Sequence, residues 1–199
     1  MRPQDILVLL KILSLRKPKN GYYLSSPEQN DFEVNFEKYG SITYFQNNNI
    51  ALALGISPAE VSESLHRSIY SGLIDDGKTK NIHIQSLIEF LKYGIKYVFP
   101  VHPGALVRGI PTAHAAPPLN QVIVSDEAFV WASPQGTVRG QAVEPLYHTV
   151  PLAVQNDPNL YELVALVDAI RMGSARVYKL AIEELEKRIQ YLWASTKIA

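Results

Sequence analysis

Ala51-Leu52-Ala53-Leu54-Gly55-Ile56-Ser57-Pro58-Ala59-Glu60-Val61, continued to Gly72-Leu73-Ile74, is the stretch that decides how this chain reads. Asn47–Leu54 carries Ile50, Leu52 and Leu54 with small alanines at 51 and 53, which predicts a short helix. Gly55 supplies the backbone freedom that a tight break needs, and Ala51 leaves room for a second helix to approach. Three helix-start signals then fall together. Ser57 can cap, Pro58 suits the first helical position, and Glu60 can reach back to complete a capping box. Val61, Leu65 and Ile69 recur every four residues and give the second helix one apolar stripe. Gly72 stops it and Leu73-Ile74 opens a strand. Asp75-Asp76-Gly77-Lys78 reads as a turn of type I′ character, and Ile82 and Ile84 flank His83 in a returning strand.

Helix, three-residue turn, helix and β-hairpin is the order of a winged helix-turn-helix. Over residues 42–84 the chain resembles the bacterial transcription regulators of that fold, MarR-like or ArsR-like. The resemblance implies that the second helix enters the major groove of double-stranded DNA while the wing touches the backbone. It puts Pro58, Ala59, Glu60, Ser62, Glu63, His66 and Arg67 on the exposed side of that helix. Ser62, His66 and Arg67 are then the expected DNA contacts, and Lys78 and Lys80 the phosphate-holding residues of the wing. A homodimer is implied as well, because paired half-sites need a two-fold protein.

Outward from this segment, Asp5–Arg16 has helical character through Leu7, Leu10, Ile12 and Leu13, with Pro3 just ahead of it. Residues 20–41 are polar with interspersed aromatics and carry no clear assignment, while Ile42–Phe45 favours a strand. Gln85–Val98 is helical in pattern through Leu87, Leu91, Ile95 and Val98, and Pro100 stops it. From Val101 to Leu119, prolines, glycines and two histidines come without periodicity, which predicts an ordered loop packed over the winged helix. Val122–Val124 and Ala128–Ala132 are candidate strands, with Ser133-Pro134-Gln135-Gly136 turning into Thr137–Gly140. Asp157 and Pro158 start a helix bearing Leu160, Leu163, Val164, Val167 and Ile170; a second run reaches about Trp193 after Gly173-Ser174. Gly173 either makes these two a hairpin or merely weakens one long helix. Glu183–Lys187 and Glu184–Arg188 are helix-supporting pairs on a solvated face, and the opposite apolar stripe is expected to pack against a second copy or inside the chain. The fold class is mainly α with a small β component (α+β). It divides into a winged helix-turn-helix domain at 1–98, a loop-rich segment with short strands at 99–145, and C-terminal helices at 146–199.

Composition narrows the function. The 199 residues contain no cysteine, which excludes disulfide frameworks, zinc-thiolate sites and cysteine nucleophiles. Nineteen Lys+Arg balance nineteen Asp+Glu, and residues 1–82 hold nine of each, so the chain is not a non-specific coat for nucleic acid. Any DNA role rests on a local site. Between Lys92 and Ser125 there is no acidic residue but Lys92, Lys96 and Arg108, so Arg108 is a candidate for tracking phosphate beside the helix. His102, His114 and Asp126 match no common metal spacing. No P-loop, dinucleotide fingerprint, G-x-S-x-G or H-E-x-x-H occurs. A non-enzymatic protein without cofactor is expected. No apolar run approaches the ~18 residues of a membrane span, and Met1–Asp5 lacks the pattern of a cleaved leader. A cytoplasmic protein is therefore expected. The reading is a sequence-specific DNA-binding regulator, of the repressor kind. The alternative is a protein-interaction module, such as an antitoxin-like partner, that uses the same fold without DNA; Glu60, Glu63 and the zero net charge favour it.

Overall fold

A computed structural model describes residues 1–16 and 46–194. The residues at 20–41 and the β-favouring Ile42–Phe45 lie outside that range. The chain folds as a mixed helical and β structure whose centre is a helix rather than a sheet. That helix, α1 (Pro3–Ser14), is buried along almost its whole length, from Gln4 to Ser14. Ile6, Leu7, Leu9, Leu10, Ile12 and Leu13 are all apolar, so no face of it suits water. It begins with Pro3 inside the first turn, where a missing N–H costs nothing.

Around α1 stand α2 (Asn47–Leu54) and α3 (Pro58–Tyr70), followed by a bridge between Ile74 and Ile82. Next come α4 (Ile84–Glu89), a π turn at Phe90–Gly94 and α5 (Ile95–Val98). The helix expected over Gln85–Val98 is thus present but widened by one turn, where Gly94 lies against the Phe90 ring. Three strands follow: β1 (Leu106–Thr112), β2 (Phe129–Ala132) and β3 (Val138–Ala142). A short α6 (Val150–Ala153) leads to α7 (Pro158–Met172) and α8 (Ala175–Ala194).

The three strands close on themselves. β1 runs antiparallel to β2, from Gly109 opposite Ala132 to Thr112 opposite Phe129, and antiparallel to β3, from Leu106 opposite Gln141 to Gly109 opposite Val138. β2 and β3 pair in parallel at Phe129–Gln141 and Val130–Ala142. Val130 is fully buried and faces both Gly109 and Gly140. A Cβ on Gly109 would collide with the Trp131 carbonyl, and one on Gly140 with that of Ala128. Trp131 lies on the outer side beneath α7, where its indole donates to Asp168 Oδ2 at 2.7 Å and its ring meets Tyr161 edge-on.

This arrangement corrects several expectations. Val101–Leu119 is not a loop over the helix-turn-helix. It contains β1, which packs against α7. Val122–Val124 is no strand, since a 3-10 turn at Leu119–Gln121 precedes it and Val124 is 100% exposed. The turn after Asp75 is not type I′, because Gly77 lacks the positive φ that type demands; Asp76 Oδ1 instead accepts from the backbone N–H groups of Lys78 and Thr79. The returning strand shrinks to one bridge, and Ile84 belongs to α4.

α7 and α8 form a hairpin broken at Gly173-Ser174, and the stripe Ala181, Leu185, Ile189 and Leu192 is buried inside the chain. Of the two expected partners for this stripe, a second copy or the chain's own interior, the structure shows the interior. Arg188 is no solvated residue. It bridges Glu162 of α7 at 2.6 Å and Glu184, while Lys187 pairs with Glu184 rather than Glu183. One apolar core runs from α1 through α3 to α7 and α8, continuous across positions 98/99 and 145/146. No helix among the described residues is long and apolar enough to cross a membrane.

Candidate nucleic-acid interface

The α2–α3 segment is built as its residues dictate. Gly55 adopts φ +64°, a left-handed conformation that ends α2, and its N–H returns to Leu52. Ser57 Oγ accepts from the Glu60 N–H at 3.1 Å, and Glu60 Oε2 accepts from the Ser57 N–H at 3.0 Å. The capping box is complete. Accepting that backbone N–H is the first cause that holds the Glu60 carboxyl below its ordinary range, and Tyr147 adds a hydroxyl donor at 3.3 Å. Glu60 is thus a capping residue with its oxygens occupied.

Val61, Ser64, Leu65 and Ser68 form the buried side of α3. The opposite side is open. Pro58, Ala59, Glu63, His66 and Tyr70 are exposed and Ser62 is half-buried. Positions 59, 62/63, 66 and 70 recur at helical spacing, so they make one continuous outward stripe.

Arg67 sits at the edge of this stripe but is engaged elsewhere. Its Nε and NH2 donate to Asp5 of α1 at 3.0 and 2.7 Å, and NH2 also donates to Ser64 Oγ at 3.2 Å. Asp5 is fully buried and the Arg67 side chain is 24% exposed. The hydrogen bond from the guanidinium to Asp5 is the first cause that raises the Arg67 pKa. This two-pronged pair fastens α3 to the central helix. Arg67 was expected to contact DNA; its charge is instead neutralised inside the molecule. The same carboxylate accepts from the Arg2 backbone N–H at 2.7 Å, which brings the exposed Arg2 close to Arg67.

The bridge region divides the two expected wing lysines. Lys78 is exposed in the Asp76 turn. Lys80 is only 6% exposed, holds φ +48°, and burial lowers its pKa. A lysine so covered is not available to phosphate, and its carbonyl accepts from Arg16 at 3.3 Å. His83 spans the base of the turn. One ring nitrogen meets the Gly72 carbonyl at 2.8 Å and the other meets Asp75 Oδ1. Both partners only accept hydrogen bonds, so the imidazolium form suits the site. The Gly72 carbonyl first, then Asp75, raises its pKa.

Arg108 is exposed on β1, in the barrel and not on α2 or α3. The structure therefore gathers Ser62 and His66 on one face with Lys78 on the following turn, withdraws Arg67 and Lys80 into internal contacts, and puts Arg108 in a different part of the fold. Two residues escaped the sequence reading. Tyr70, 95% exposed, extends the outward stripe, and its spacing of four from His66 was the available signal. The Arg2 backbone is held by Asp5, the acidic residue three positions on in the first turn of α1, and that spacing was the available signal. Among the described residues no three His, Asp or Glu side chains cluster as a metal site requires, so His102, His114 and Asp126 do not assemble. No family model, curated protein or solved structure matches the chain.

Proposed function

We propose that the chain is a sequence-specific DNA-binding regulator, of the repressor kind, whose α1–α3 and Ile74–Ile82 bridge act as a winged helix-turn-helix. The observation that carries this reading is the outward face of α3. It is held from behind by Asp5–Arg67 and by Leu65 and Val61, while His66 and Tyr70 are exposed and Ser62 is half-buried beside them. In the proposed complex Ser62 and His66 meet base edges and Tyr70 lies along the groove wall. Lys78 and Arg2 take phosphates, and Arg67 positions the helix instead of touching DNA. Paired half-sites would need a second copy, bound through a surface other than the internal stripe of α8.

A fluorescent duplex from upstream of the chain's own gene, titrated at low salt, tests the reading. Replacing His66 or Ser62 by alanine should cost about 1–3 kcal/mol on the specific duplex if each makes a base contact. Equal losses on specific and random duplexes would remove them from base reading.

A second reading has its own observation. With Arg67 turned to Asp5 and Lys80 buried, the outward side of α3 carries the exposed carboxylate of Glu63, 3.8 Å from Arg67, and the exposed Tyr70, which suits a basic protein partner better than phosphate. Stoichiometric capture of a protein through α3, lost on Tyr70→Ala and with no DNA retained, would favour it.

A further inference from the structure

We propose that Arg108 and Arg139 together form a seat for a phosphate group, on the outer face of the small barrel. The two residues are direct partners in the antiparallel pairing of β1 and β3. Opposed residues of such a pair point to the same face with Cβ atoms about 4.5–5.5 Å apart. Both arginines are exposed, and among the described residues neither has an ion-pair partner.

Like charges placed opposite one another weaken a sheet. Nothing within the barrel offsets the repulsion, because no strand contains an acidic residue: β1 is Leu106–Thr112, β2 Phe129–Ala132 and β3 Val138–Ala142. The same-face neighbours two residues away are Leu106 and Ile110 on β1 and Gln141 on β3. Gln141 adds a neutral amide donor. An anion bound from outside would relieve the repulsion.

The chemistry favours phosphate over carboxylate. Two guanidinium groups present up to ten N–H donors from two directions, more than the two oxygens of one planar carboxylate can accept. A tetrahedral phosphate offers oxygens to both forks at once. The scaffold is also rigid. Gly109 and Gly140, each next to one of the arginines, sit where a Cβ would strike backbone, so the closed strands fix the positions from which the two side chains reach out. The seat stands apart from α3 and does not depend on that helix reading DNA. The phosphate comes either from a nucleic-acid backbone or from a free or small phosphorylated ligand.

The experiment follows the arginine Nε–Hε signals of the full chain by NMR while inorganic phosphate is added. Arg108 and Arg139 should shift together along one saturating curve, and Arg108→Gln should abolish the response of Arg139. Because both side chains are exposed, Arg108→Gln, Arg139→Gln and the double variant should keep the fold and melt at the same or a higher temperature. A second arm titrates a labelled duplex over a range of salt. If the seat holds a backbone phosphate, the double variant lowers the log–log salt slope by about 0.9. An unchanged slope beside an intact phosphate response assigns the seat to a small ligand. Signals that drift without saturating, or an Arg139 response that survives Arg108→Gln, overturn the proposal. So does a lower melting temperature in both single variants, which would mean the arginines brace the sheet.

Discussion

Asp168 shows how a single buried side chain joins two parts of this molecule. It lies on α7 with no exposure and accepts from Thr112 Oγ1 at 2.9 Å, Trp131 Nε1 at 2.7 Å and Arg171 NH1 at 2.7 Å. Burial raises its pKa, and Arg171 followed by Trp131 and Thr112 pulls in the opposite direction. Arg171 in turn donates to the Phe99 carbonyl at 2.8 Å, so one carboxylate ties the barrel and the end of α5 to the C-terminal hairpin. Asp168→Ala leaves the Arg171 guanidinium without its carboxylate partner and the Trp131 indole N–H without an acceptor, and should destabilise the fold by about 3–5 kcal/mol in urea unfolding. Asp168→Asn keeps an acceptor for Trp131 and should cost less. Equal losses for the two variants would show that packing alone matters there. The Asp5–Arg67 pair follows the same logic, and Arg67→Ala should cost about 3 kcal/mol of stability whether or not DNA is present. That loss separates a positioning arginine from a base-reading one.

At the scale of elements, the two glycines that look alike in sequence should behave differently. Gly55 needs φ +64°, but its nearest neighbour to an added methyl group is Thr149 Cγ2 at 3.6 Å. Gly55→Ala should therefore cost only the left-handed strain, roughly 1 kcal/mol. Gly109→Ala drives a Cβ into the Trp131 backbone and should unfold the barrel, read as loss of the Trp131 near-ultraviolet signal. His83 sits at the base of the turn closed by the Ile74–Ile82 bridge. The folded pKa of His83 is raised, so its contribution is complete below the unfolded value of about 6.5 and disappears as pH climbs through the higher folded value. His83→Ala should flatten the pH dependence of the urea midpoint in that window. A His83 that titrates at or below the unfolded value would remove the clamp.

The helices were legible because their signals are local. Ser57, Pro58 and Glu60, or Asp157 and Pro158, announce a start within four residues, and a four-residue apolar recurrence marks the face behind it. β1 was hidden for the opposite reason. Gly109 and Pro111 argue against a strand unless one knows that its partners approach too closely for a side chain. Val122–Val124 has strand-favouring residues and no partner to pair with. The withdrawal of Arg67 could not be read locally either, because Asp5 lies 62 positions away.

Over the whole molecule, charge sums to zero and the cations are divided between internal ties and a few exposed positions. The exposed arginines of the barrel and the stripe on α3 belong to different parts of the fold, so substitutions at the two should act independently. Titration of a labelled upstream duplex at low salt, with the wild-type chain and with Ser62→Ala/His66→Ala, puts the proposed regulator to the most direct test. The account predicts salt-sensitive binding by the wild type, and a loss of about 2–6 kcal/mol in the double variant that is confined to the specific duplex. Absence of binding by the wild type at the lowest salt, or binding untouched by the double substitution, would contradict it.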